Sequence, residues 1–371
     1  MRTPMMRSRT CPDLLAPLLA FLFSSIFAVA DPTDRLRAEL ENAHKASGAP
    51  GMAAATFDTK TILAQTQLGV RRADKKGDVE AGDLWHIGSD GKAITATLIA
   101  RLVESGKLTW NTSLKEIFHD SVGNLHPQAQ QITIQQLLSH TAGLPANPPD
   151  DLINEAHEAG DRNIRKQRMK IAMDALTKAP LSTPGTTFLY SNTGYIIAGA
   201  VIEELLGTTW EKAIAKEVFS PLGIKSAGFG APSGSQPRGH QLSDDGSRQA
   251  VEVGYAGDNP AIYGPAGGMH LSLADWVVFL QDQMLGHQGK GRLLEKESYR
   301  KLHQPILNNY AMGWLAGKGG KVLQHDGSNT YWYATVTLHL DTGRGSVAVA
   351  NDAGPKTGAA MHRAMARALQ E

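Results

Sequence analysis

The chain has 371 residues, of which 42% are hydrophobic and 20% charged. That balance is globular and excludes intrinsic disorder, collagen-like repeats and a polytopic membrane protein. Lys+Arg number 37 and Asp+Glu 36, which leaves no basic footprint for nucleic acid and argues against acidic polymers as partners.

The elements follow in chain order, beginning with an export signal. Arg2, Arg7 and Arg9 precede an apolar run from Leu14 to Ala30, and Ala28-Val29-Ala30 supplies the small residues of a signal-peptidase site. Residues 1–30 therefore read as a signal peptide, and the mature protein as periplasmic or secreted. The run spans 17 residues and contains Pro17, Ser24 and Ser25, which is marginal for a spanning helix, so no stable membrane span is expected after cleavage. Retention as an anchor is the alternative. Removing three Arg and one Asp leaves 34 basic and 35 acidic residues. Cys11, the sole cysteine, goes with the signal, so the mature chain has no thiol chemistry.

From Asp31-Pro32 onward, Leu36, Leu40 and Ala43 form a helical stripe that Gly48 and Pro50 close. Met52–Phe57 and Ile62–Leu68 read as short strands joined at Asp58-Thr59-Lys60. Between Gly91 and Glu104, Ile94, Leu98, Ile99, Leu102 and Val103 recur at helical spacing. Asn147 to Lys178 is polar, Pro-led and charge-rich, a helical insertion or lid. Leu181 to Gly185 is loop, and Tyr195 to Leu206 is an apolar helix stopped by Gly207. Tyr331–Leu340 and Ser346–Asn351 are paired strands around Asp341-Thr342-Gly343, and Thr357–Leu369 is a last helix. One domain over 31–371 is expected. Sheet regions at 31–88 and about 300–371 would flank a mostly helical region at about 89–299, with the active site at their junction.

Ser89-Asp90-Gly91-Lys92 stands directly before the helix at 91–104. A serine there has its hydroxyl near free backbone N–H groups and the positive end of the helix dipole. A lysine three residues on lies one turn away on the same face. Serine needs a neighbouring base, and lysine becomes one when desolvation lowers its pKa. The tetrapeptide alone is weak, because Ser-x-x-Lys arises roughly once by chance in a chain of this length. A second copy, Ser298-Tyr299-Arg300-Lys301, lies in the charged segment Glu295–Lys301 and reads as an exposed helix face.

Two further motifs follow. Tyr190-Ser191-Asn192 sits between the Pro184-Gly185 turn and the apolar helix, and His325-Asp326-Gly327 ends a strand just before Ser328. Ser-x-x-Lys, Tyr-x-Asn and a basic residue–x–Gly on a strand, in that order, resemble the penicillin-recognising serine hydrolases. The resemblance is to the branch holding class C β-lactamases, DD-carboxypeptidases and related esterases and D-aminopeptidases. It covers most of residues 35–370, including Leu84–Gly88, Leu137–Pro145, Pro221–Ile224, Pro265–Met269 and Tyr310–Trp314.

The resemblance implies an α+β fold of the β-lactamase/transpeptidase type: an antiparallel sheet flanked by helices, with an inserted all-helical subdomain. It also implies a cofactor-free, metal-free acyl-enzyme mechanism on a small-molecule or peptide substrate. Ser89 would be the nucleophile, with Lys92 and Tyr190 as proton shuttle. Asn192 would hydrogen-bond the substrate's amide or acyl side chain. The backbone N–H groups of Ser89 and Ser328 would form the oxyanion hole, and His325, with Asp326 and Gly327, would replace a third-motif lysine as a partly charged donor near neutral pH. Asp326 departs from the family's usual hydroxyl residue. Aimed into the cleft, its carboxylate would repel a substrate carboxylate, which shifts the expected substrates toward esters, amides or peptides lacking one. The alternative is a penicillin-binding DD-carboxypeptidase or a β-lactam sensor with little turnover.

Other chemistries fit less well. The 13 histidines, including His119, His126 and His140, form no close ligand set, and His140 reads as a buried structural residue. Ile87 occupies the first glycine position of a Gly-x-Ser-x-Gly elbow, and Gly228-Phe229-Gly230 continues as Ala231-Pro232, which is no dinucleotide fingerprint. Nothing in the sequence sets the oligomeric state.

Overall fold

A computed structural model of the chain describes Met1 and residues 31–118, 125–254 and 257–370. The expected signal segment, Cys11 and His119 lie outside the described residues. The helices and strands of the fold belong to one compact unit, Pro32–Glu371.

The first helix, Pro32–Ser47, places Asp34 in its first turn and His44 and Lys45 in its last, each sign matched to the helix dipole. Two strands follow, β1 (Gly51–Asp58) and β2 (Ile62–Gly69). They join a six-stranded sheet with β8 (Leu315–Gly317), β9 (Val322–Ser328), β10 (Tyr333–His339) and β11 (Arg344–Ala350), in the order β2-β1-β11-β10-β9-β8. Every pairing in it is antiparallel. The early and late strands of this unit meet where β1 pairs with β11, from Met52↔Ala350 to Asp58↔Arg344.

Strand alternation then divides the core in two. Met52 and Ala54 face one side and pack with Leu36, Leu40, Met361 and Met365, from the Pro32–Ser47 and Thr357–Ala368 helices. Ala53, Ala55 and Phe57 face the other side and join the large core around the Gly91–Glu104 helix. That helix shows an apolar stripe in sequence but is buried almost all round, from Gly91 to Ala100. Its buried threonines are hydrogen-bonded: Thr97 donates to the Ala93 carbonyl one turn back at 2.8 Å, and Thr95 to the Pro265 carbonyl of a distant segment at 2.8 Å.

The chain also carries short strands that no period-2 run announced. A three-stranded sheet of order β3-β7-β4 joins Leu84–His86, Met269–Ser272 and Gly228–Phe229, and β5 (His240–Leu242) pairs with β6 (Arg248–Ala250). At two to four residues these strands are too short to show alternation. The polar stretch 147–178 is two helices, Asp150–Ala159 and Ile164–Leu176, separated by left-handed Gly160 (φ 61°) and Asn163 (φ 54°). The second Ser-x-x-Lys copy lies on the Lys296–His303 helix. Glu297 and Arg300 are exposed there, but Tyr299 turns inward and its hydroxyl bonds Asp282, so the segment is only partly an exposed face.

Candidate active site

Three glycines from separate segments let the backbone close on Ser89. β3 ends at His86, the Ile87 N–H is held by the Met269 carbonyl at 3.0 Å, and Gly88 turns left-handed at φ 50° into a single 3-10 turn, Gly88–Asp90. A Cβ on Gly88 would stand 2.3 Å from the Ser328 nitrogen, and one on Gly327 would stand 1.8 Å from the Ile87 carbonyl oxygen. A Cβ on Gly267 would meet the Gly88 carbonyl at 2.7 Å. Only glycine permits these approaches. They bring the main chain of Ser89 beside that of Ser328.

Lys92 lies one turn along the helix, fully buried. Its Nζ is 3.0 Å from Ser89 Oγ, 2.8 Å from Asn192 Oδ1 and 2.5 Å from the Ala266 carbonyl oxygen. Burial lowers its pKa to about 7, with Asp90 opposing. A neutral amine can donate to Asn192 and Ala266 while turning its lone pair to the serine hydroxyl. This arrangement can accept the Ser89 proton.

Tyr190 keeps its ring partly exposed while its hydroxyl bonds Ser89. Burial of that hydroxyl raises its pKa, so it remains protonated at neutral pH. Lys92 Nζ sits 4.9 Å from the Tyr190 ring centroid. Just after Tyr190, the Ser191 side chain caps the Asn192–Leu206 helix by accepting from the Gly194 N–H at 3.0 Å. The helix thus begins three residues before the apolar run that signals it, and Asn192 occupies its first turn. Asn192 Nδ2 donates to Asn147 Oδ1 at 2.9 Å, and the Tyr263 hydroxyl reaches the same oxygen at 3.4 Å.

His325 joins the cluster in a different protonation state from the one expected. Its Nδ1 is 2.9 Å from the Asp326 carbonyl oxygen, an acceptor only, so Nδ1 carries the proton of the neutral ring. Nε2, 3.0 Å from the Tyr310 hydroxyl, then accepts. Burial first, and Lys92 second, lower its pKa to about 4. The ring is neutral near pH 7, and both nitrogens already have partners.

Asp326 also requires correction. On β9 it lies on the face opposite His325 and Gly327. Its carboxylate meets His362 Nε2 of the Thr357–Ala368 helix at 3.0 Å. The side chain is turned toward that helix, which removes the reason for expecting repulsion of a substrate at Ser89. Ser328 Oγ is likewise engaged, accepting from the Thr330 N–H at 3.0 Å. β8 pairs only with Val322–Gln324, so among the described residues no strand covers that edge of β9 at His325–Ser328.

Several members of the cluster were not among the expected site residues. Asp90 is buried with neither carboxyl oxygen hydrogen-bonded, and burial, reinforced by Asp326 and opposed by Lys92, holds its pKa well above the usual range. Tyr310 and Asn147 come from distant loops, and Ala266 contributes only a carbonyl. His140 is the buried structural residue expected: its Nδ1 accepts from the Ser191 N–H at 3.1 Å, and its ring lies 4.2 Å from that of Tyr190. Among the described residues no group of acidic, His or Cys side chains could hold a metal ion, and no helix is long and apolar enough to cross a membrane.

A family model described as Beta-lactamase matches residues 36–370. The putative penicillin-binding protein PbpX of Bacillus subtilis (strain 168) is 28% identical over 267 residues, covering 68% of this chain and 59% of that protein. The chain therefore spans about three fifths of that relative's length. The octameric penicillin-binding protein homologue from Pyrococcus abyssi superposes with a TM-score of 0.75 at 21% identity, over 90% of this chain and 76% of that one. A class C beta lactamase from Rhodobacter sphaeroides gives a TM-score of 0.71 at 19% identity, over 91% and 98%. At these identities the two solved structures speak for the fold.

Proposed function

We propose, on the premise that this chain belongs to the beta-lactamase family of serine hydrolases, that it works through an acyl-enzyme on Ser89. The observation that carries this reading is the 3.0 Å contact between Ser89 Oγ and a fully buried Lys92 amine. Neutral Lys92 takes the proton as Ser89 Oγ attacks the substrate carbonyl. The developing oxyanion meets the N–H groups of Ser89 and Ser328. Tyr190, protonated and bonded to Ser89, relays the proton to the leaving group and regains it from Lys92. Water then attacks the acyl-enzyme by the reverse path, releasing the acid and free Ser89. Asn192 holds Lys92 and presents its amide at the cleft, while residues 1–30 would direct export to the periplasm or medium.

The substrates favoured are esters and amides, including peptides, without a carboxylate beside the scissile bond. Among the described residues, no guanidinium and no second ammonium hydrogen-bonds Ser89, Lys92, Asn192 or His325, and His325 is neutral. A substrate carboxylate thus finds no fixed cation among these partners. The test is intact mass after brief incubation with a penicillin or a p-nitrophenyl ester, with free penicillin followed in the same tube. Ester turnover without a penicillin adduct or penicillin loss is expected. A long-lived penicillin adduct would instead support a slow carboxypeptidase or sensor, the reading that the name of the Bacillus subtilis relative favours.

Acylation also needs Lys92 without its proton. kcat/KM for the ester is therefore expected to rise with pH and reach half its plateau near pH 7, where Lys92 titrates. A profile flat from pH 5 to 9 would remove Lys92 as the base.

A further inference from the structure

Beside the Ser89–Lys92 cluster lies a second buried polar chain that plays no part in the proton transfers of the acyl-enzyme cycle. His86, the last residue of β3, is buried. Its Nδ1 accepts from the Gly88 N–H at 3.1 Å, so the proton of the neutral ring sits on Nε2. Nε2 faces Asp258 Oδ1 at 3.4 Å. The same oxygen accepts from Asn329 Nδ2 at 2.8 Å and from the Asn259 N–H at 2.7 Å. Asn329 Oδ1 in turn accepts from the N–H groups of Tyr331 and Trp332, each at 3.2 Å, which fixes which way its amide points. Burial pushes the Asp258 carboxyl up, but His86, Asn329 and Asn259 outweigh it and hold it below its usual value.

The position of this chain matters more than its charge. Gly88 immediately precedes Ser89, and Asn329 immediately follows Ser328. We propose that Asp258 is a positioning residue for the oxyanion hole: one carboxylate oxygen, bonded to Asn329 and 3.4 Å from His86 Nε2, ties the Ser328–Asn329 wall to the Gly88–Ser89 wall. The two walls come from segments about 240 residues apart, and an N–H pair is useful only at a set separation. Trp332, whose ring centroid is 5.7 Å from that of His86, packs against the imidazole. Without Asp258 both walls keep their chain but lose their common anchor.

This inference rests on the acyl-enzyme reading. The experiment compares wild type, Asp258→Ala and Asp258→Asn, the last keeping an Oδ1 acceptor for Asn329 and a polar oxygen beside His86. Each is measured for ester turnover, for affinity toward a boronic acid that forms a tetrahedral adduct on serine, and for thermal midpoint. Asp258→Ala is expected to lower kcat by ~10- to 100-fold, with KM little changed, as for a small displacement of catalytic groups. Boronate affinity should fall by the same factor, and Asp258→Asn should lie between. A folded Asp258→Ala protein with wild-type boronate affinity, or a loss confined to KM, overturns the proposal. If Asp258→Ala does not fold, Asp258→Asn decides it, since parallel losses in kcat and boronate affinity are still required there. A wild-type protein with no Ser89-dependent turnover and no boronate binding overturns the acyl-enzyme reading itself, and this inference with it.

Discussion

Ser89→Ala is expected to lower ester turnover by at least ~10³-fold while leaving the protein folded, because no other nucleophile stands in the cluster. Tyr190 is the other hydroxyl bonded at this point, and burial keeps its proton on. Lys92 is engaged with Asn192 and the Ala266 carbonyl, and its contact with Ser89 is the productive one. Lys92→Met should show a comparable loss of turnover for a different reason: the serine remains, but its proton has nowhere to go. The two variants separate on stability. Ser89→Ala removes one hydroxyl, whereas Lys92→Met leaves Asn192 Oδ1 and the Ala266 carbonyl without their donor, and an unsatisfied buried acceptor costs about 1–3 kcal/mol. Single-turnover ester kinetics with intact mass, alongside urea denaturation, would check both. Unchanged hydrolysis by a folded Ser89→Ala protein would remove Ser89 from the mechanism.

The parts of this site legible in sequence are those set by local geometry. Ser89 and Lys92 share a helix face because three residues make almost one turn, and the helix over 91–104 has the predicted bounds. Tyr190 and Asn192 flank Ser191, a helix cap, and the cap was hidden because it lies inside the motif it positions. The strands at both ends of the domain announced themselves by their apolar runs and turn. That β1 pairs with β11 rather than with a nearer strand is a long-range fact carried by no local pattern. The charge state of His325 was equally out of reach. A histidine on a strand end reads as a partly charged donor until Tyr310, from a loop 15 residues earlier, is seen to occupy Nε2. Asp326 could have turned to either face of β9, and only the register with β10 and the place of His362 decide it. Asp258 and Asn147 sit in loops where no local motif marks the individual residue that reaches the site.

Arg168→Met is expected to produce the largest loss of stability, about 3–5 kcal/mol near neutral pH, as when one partner of a buried ion pair is removed. The Arg168 guanidinium is fully buried on the Ile164–Leu176 helix. It donates to Glu203 at 2.6 Å, to Glu211 at 2.5 Å, and to the Ala261 and Ile262 carbonyls at 2.8 and 3.3 Å. Glu203 is buried as well, and burial already raises its pKa against the pull of Arg168. Without that pull the pKa rises further. A carboxyl raised in the folded state favours folding at low pH, and that contribution is lost as pH climbs through the folded value. The deficit of Arg168→Met relative to wild type should therefore be largest at pH 8 and shrink toward pH 5, approaching the ordinary carboxylate range of about 4. Urea denaturation at the two pH values would show it, and an equal deficit at both would mean Glu203 does not carry the effect. The consequence also reaches the chemistry. The carbonyls that Arg168 holds begin the segment that brings Tyr263 to Asn147 and the Ala266 carbonyl to Lys92, so a folded Arg168→Met protein should also lose kcat. Loss of stability with kcat unchanged would show that residues 263–266 are held by their other contacts alone.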